Sequence, residues 1–104
     1  MENPNPMEQP AGQNQQIQIK AGDEVLKGVY SNMAQIAHTG EEFAIDFMNI
    51  LPPGGSLVSR VIVSPSHAKR LAAALNENIK RYEEKFGTIS LAVVPDAKIG
   101  FKTE

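Results

Sequence analysis

The chain has 104 residues, no cysteine, 41% hydrophobic and 21% charged residues, and a formal net charge of −2. The lack of cysteine excludes a disulfide framework and thiolate metal sites, and the slight acidity argues against general attraction to phosphate backbones, so nucleic acid is not the expected partner. Both ends differ in composition from the middle, which leaves one domain with a core nearer ~70 residues, a size that often gains stability by oligomerising.

Residues 1–16 are rich in Pro, Asn and Gln and cannot bury enough apolar surface to offset their ordering entropy, which predicts a disordered tail. They show no basic and then apolar leader pattern. No window approaches the ~20 apolar residues of a membrane span, so the expected location is the cytoplasm, with no membrane partner. Residues 16–20, Gln-Ile-Gln-Ile-Lys, alternate with period two and predict a short edge strand. Val25, Leu26, Lys27 and Gly28 carry no clear pattern. Residues 29–38 form the next strand candidate, and Thr39-Gly40 a turn.

Alternation is clearest over residues 42–51, with Phe43, Ile45 and Phe47 on one side and Ala44, Asp46, Met48 and Ile50 on the other. Pro52-Pro53-Gly54-Gly55 ends that run, because proline cannot donate to a ladder and glycine permits the positive φ of a tight reversal. Residues 57–63 supply the following strand. Chemistry then suggests a register. Opposing His38 to Glu41 sets Ile36 against Phe43, Ala34 against Ile45 and Asn32 against Phe47. In the second hairpin, opposing Asp46 to Arg60 also sets Ile45 against Val61 and Phe43 against Val63, with an ion pair across the ladder.

Ser64 followed by Pro65 is a helix start, with serine as the N-cap and proline at the first helical position, where its missing N–H is not needed. Ala68, Leu71, Ala72, Leu75, Ile79, Tyr82 and Phe86 recur at three- and four-residue spacing up to Gly87, a helix terminator. The expectation is an α+β fold: an antiparallel β-meander of three to four strands followed by one amphipathic C-terminal helix packed on one sheet face. Leu71, Leu75, Ile79 and Phe86 would close the core. The domain would cover residues 17–87, with residues 88–104 as an extension that adds an edge strand through Ile89, Leu91, Val93 and Val94 or stays a flexible tail.

Tyr30-Ser31-Asn32, the Glu42-Phe43 and Asp46-Phe47 pairs, Ser59-Arg60, the Pro-Ser-His-Ala-Lys-Arg-Leu run of residues 65–71 and the Asn-Ile-Lys-Arg-Tyr-Glu run of residues 78–83 together resemble the small prokaryotic family called domain of unknown function 3467. The resemblance spans residues 17–89. It implies no enzymatic activity and carries no catalytic residues over. It also suggests a gene neighbourhood shared with the large RNA polymerase subunits, and hence an accessory role in transcription as an alternative function. Family patterns carry a longer connection where this chain has residues 52–56.

No residue group reads as catalytic or cofactor-binding, and the expectation is a protein that is not an enzyme and uses no cofactor. His38 and His67 lack the third ligand and the spacing of a metal site, which favours structural or surface roles for both. The basic helix residues Lys69, Arg70, Lys80, Arg81 and Lys85 are interleaved with Glu77, Glu83 and Glu84, as on a solvated face. Gly54-Gly55 lacks the Lys-Ser/Thr of a phosphate loop.

One helix covers one sheet face, so the second face, with Met33, Asp46, Met48, Val58, Arg60 and Ile62, is the expected interface. Asp46 and Arg60 would form a cross-strand pair that also fixes register with a partner. The functional expectation is a non-enzymatic homo-oligomeric protein-binding module, a homodimer first of all. A nucleic-acid-binding regulator or a chaperone-like binder is a further alternative.

Overall fold

The computed structural model describes residues 16–91 and 99–103. Its element order is α1 (Asp23–Lys27), β1 (Met33–His38), β2 (Phe43–Leu51), β3 (Gly54–Val63) and α2 (Pro65–Phe86), and the strands form one sheet in the order β1-β2-β3. This is the expected meander followed by a C-terminal helix, an α+β arrangement. The chain divides into two compact units, one of Met1–Met33 with Phe47–Val58 and the other of Ala34–Asp46 with Ser59–Glu104. Most of the expected tail, residues 1–15, and Val93 and Val94 of the extension lie outside the described residues.

In the first unit, residues 16–20 form no strand and stand exposed, contrary to the expected edge strand. Alternation alone does not hold so short a segment in a ladder unless an edge receives it. The unassigned residues that follow make the single turn α1, where Asp23 and Glu24 favour the N-terminus, Lys27 pairs with Glu24 at 3.1 Å, and Gly28 at φ 78 closes the turn through its N–H to the Val25 carbonyl.

Strand β1 starts four residues later than its pattern suggested, because Ser31 and Asn32 bond with side chains where strand backbone was expected. The Ser31 hydroxyl lies 2.9 Å from the Met48 carbonyl oxygen and 3.0 Å from that of Met33. Asn32 Nδ2 donates to the Ile50 carbonyl at 3.0 Å, and its Oδ1 accepts from the Ile50 N–H at 2.8 Å, so one side-chain amide imitates a peptide group of a neighbouring strand.

The β2 to β3 reversal is tighter than expected. Strand β3 already begins at Gly54, which leaves Pro52-Pro53 as the turn, and neither Gly54 nor Gly55 takes a positive φ. Glycine is needed at position 55 for closeness instead. A Cβ there would lie 2.7 Å from Ile50 Cδ1 and 3.2 Å from the Asn49 carbonyl oxygen.

In the second unit, the Thr39 N–H donates to the Glu42 carbonyl at 3.0 Å and the Thr39 hydroxyl accepts from the Glu41 N–H at 3.1 Å. That closure sets His38 against Phe43, with ring centroids 5.1 Å apart and stacked. The expected opposition of His38 to Glu41 and of Ile36 to Phe43 is therefore displaced by two residues, the side chain of Thr39 having selected the turn. A shift of two preserves strand parity, so the division of residues between the sheet faces survives it.

Helix α2 has the expected cap. Ser64 Oγ accepts from the His67 N–H at 3.1 Å, Pro65 opens the helix, and Gly87 at φ 100 ends it with its N–H on the Glu83 carbonyl. Beyond Gly87, the Ile89 N–H donates to Glu83 Oε2 at 2.9 Å, and neither Ile89 nor Leu91 belongs to a strand.

Burial departs furthest from expectation in this helix. The core consists of Ile45, Met48 and Val63 with the carboxylate of Asp46, and not one residue of α2 is buried. The expected closure of the core by Leu71, Leu75, Ile79 and Phe86 is thus incomplete. Length supplies a reason within this unit: 22 helical residues extend ~33 Å, whereas strand stretches of about five residues extend only ~17 Å.

Candidate functional site

The six residues expected at an open sheet face meet different fates. Met48 is 2% exposed and Asp46 8% exposed, so at these two positions the face is already closed within the single chain. Met33 and Val58 are half-buried, whereas Arg60 and Ile62 are exposed. Asp46 and Arg60 do pair: Arg60 Nε donates to Asp46 Oδ1 at 2.6 Å and Nη2 to Oδ2 at 2.9 Å, a bidentate fork. This hydrogen bonding, more than the charge alone, holds the Asp46 carboxyl below the usual carboxylate range against the opposing effect of burial, and raises Arg60. Phe101 completes the cluster, its ring centroid 5.7 Å from the Arg60 guanidinium. The guanidinium is thus engaged by a carboxylate and an aromatic ring of its own chain while half of the Arg60 side chain stays exposed. The sequence offered no cue to this contact, because Phe101 lies forty-one positions beyond Arg60.

His38 and His67 sit in different elements, one stacked on Phe43 and the other in the first turn of α2. Among the described residues no group of three or more His, Asp or Glu side chains could hold a metal ion, and no helix is long and apolar enough to cross a membrane. A shallow depression lined by Ala37, His38, Thr39, Glu42 and Ala44 is mostly apolar. It gathers no convergent set of polar groups of the kind a small ligand needs.

The strongest candidate is the apolar stripe of α2. Leu71, Leu75, Ile79, Tyr82 and Phe86 retain 41%, 58%, 37%, 50% and 66% exposure. They recur at helical spacing with Ala68 and Ala72, and so share one face about a hundred degrees wide. Tyr82 and Phe86 touch each other, ring centroids 4.9 Å apart, and make an aromatic end to the stripe. The opposite face is charged, with Arg81 3.4 Å from Glu77. Sequence periodicity revealed this stripe but assigned it to the chain's own core.

A family model described as Protein of unknown function (DUF3467) matches residues 1–91, and the chain belongs to that family. The match begins at Met1 and so includes the segment whose composition set it apart from the expected domain. No curated protein and no solved structure matches the chain.

Proposed function

We propose that this member of the DUF3467 family is a non-enzymatic homodimeric protein-binding module, with the apolar face of α2 as the dimer surface. The observation that carries this reading is the exposure of five large side chains on a capped helix of 22 residues that buries none of its own. A helix with so regular a stripe gains little from forming alone, since most helical stability in proteins comes from packing that stripe. Contiguous exposed apolar surface of this kind marks interaction sites in soluble proteins.

Energetics favour a second copy as the occupant. Full burial of a large apolar side chain contributes ~1.5 to 3 kcal/mol, so burying the exposed half of five such residues contributes roughly 4 to 8 kcal/mol per chain. Two chains meeting through the same face double this to ~8 to 15 kcal/mol, against an association cost of about 4 to 15 kcal/mol. A partner lacking an equivalent stripe would supply only one share. The balance therefore favours a symmetric pair in which each helix covers the other, with Ile36 and Val61 of the same unit, also exposed, available to widen the contact.

Size-exclusion chromatography with light scattering on the full chain and on a Leu75→Asp/Ile79→Asp variant tests this. The reading expects a dimer for the parent chain and a monomer with unchanged helical circular dichroism for the variant. Equal masses for the two proteins would refute it.

A further inference from the structure

Resting on the dimer reading above, we infer that the two α2 helices pair antiparallel, with Lys69 of one copy against Glu83 of the other. The distribution of size and charge along α2 is what selects this orientation. The start of the stripe is small, with Ala68 and Ala72, and its end is large, with Tyr82 and Phe86; Leu75 and Ile79 occupy the middle.

Antiparallel alignment about position 77 sets Ala68 against Phe86, Ala72 against Tyr82 and Leu75 against Ile79. Each small residue then receives a large one, which is how facing layers fill space without voids or clashes. Parallel alignment would instead crowd Tyr82 and Phe86 against their own copies and leave a gap between the alanines.

Charge makes the same selection independently. Lys69, Asn76 and Glu83 follow one another at seven-residue intervals and so lie along one flank of the stripe. In the antiparallel pair, equal flanks meet head to tail. Lys69 then faces Glu83 of the second copy at both ends, with Asn76 beside Asn76 at the centre. A parallel pair would set this flank against the opposite flank of the second copy, with Asn78 beside Glu83 and Leu71 beside Asn76, and would form no pair of Lys69 with Glu83. Glu83 accepts the Ile89 N–H through Oε2, and that bond orients the carboxylate while Oε1 remains for the cation. Within one chain, Lys69 and Glu83 are ~21 Å apart along the helix axis and cannot pair.

Charge exchange tests the orientation. Dissociation constants are measured by fluorescence anisotropy dilution for the full chain, for Lys69→Glu, for Glu83→Lys, for the double variant, and for an equimolar mixture of the two single variants. The expected pattern is about ten-fold weaker dimerisation for each single variant, where four like charges replace two exposed pairs, and recovery in both the double variant and the mixture. Because the chain has no cysteine, spin labels on a Ser66→Cys variant read the geometry directly. Ser66 lies on the outer face, so antiparallel pairing places the labels roughly 35 to 40 Å apart and parallel pairing about 20 Å apart. A short label distance, or single variants that dimerise as tightly as the parent, overturns the orientation. A dimer that still dissociates on Leu75→Asp/Ile79→Asp substitution would then leave the α2 dimer itself intact.

Discussion

Strand β2 and helix α2 are the two segments in which apolar residues recur most regularly, yet they end in opposite environments. Strand β2 lies between two other strands and holds Ile45, Asp46 and Met48, three of the four buried residues among those described. Helix α2 is more than twice as long and buries nothing. A central strand acquires neighbours from the hairpins on either side of it. A terminal helix must find its cover elsewhere, and its periodicity states only that cover is required. The stripe of α2 is thus a requirement the described residues leave open, and the proposed dimer is an arrangement that would satisfy it.

The largest expected effect separates these two regions by assembly. Leu75→Asp/Ile79→Asp should weaken dimerisation by at least ~100-fold, since two carboxylates would have to be buried without partners, while an isolated chain tolerates them on an exposed face. Substitution in the strand should act in the opposite manner. Met48→Ala removes a side chain with 2% exposure, and urea denaturation should show a loss of ~2 to 5 kcal/mol. That loss should appear equally at concentrations below and above the dimer dissociation constant.

Smaller changes sharpen the account of the sheet. Gly55→Ala should cost roughly 1 kcal/mol in the same assay, because Ile50 Cδ1 can swing away from the new methyl group but the Asn49 carbonyl oxygen at 3.2 Å must give. Asn32→Ala should cost about 1 kcal/mol, the net value of a side-chain amide that bonds the Ile50 N–H and carbonyl together.

Least in size is a pH effect. With its carboxyl held below the usual range by Arg60, Asp46 adds stability above the ordinary carboxylate value of about 4, and that contribution fades as pH falls through the depressed value. Thermal melts from pH 7 downward should therefore show an acid limb that is shallower in Asp46→Asn.

Strand order, the two hairpins and the capped helix were legible because each depends on local signals: period-two alternation, proline and glycine at reversals, and Ser64-Pro65 before a helical stripe. The Asp46 and Arg60 pair was legible for the same reason, since opposite charges on equal parity of adjacent strands have few other places to go. What escaped was decided by single side chains competing with backbone. Thr39 moved the first register by two residues, Ser31 and Asn32 shortened β1, and Gly55 proved to serve closeness where a turn was expected. Burial was the least legible property. Burial depends on contacts between residues far apart in the chain, which leave no local mark in the sequence, as the approach of Phe101 to Arg60 illustrates, and which face of a helix is closed can depend on another molecule.

Sedimentation equilibrium of the full chain, from micromolar to hundreds of micromolar, tests the central claim most directly. The account predicts a concentration-dependent mass that rises to about 22.6 kDa, twice the 11.3 kDa of one chain. A constant mass of 11.3 kDa over the whole range, with α2 still helical, would contradict it.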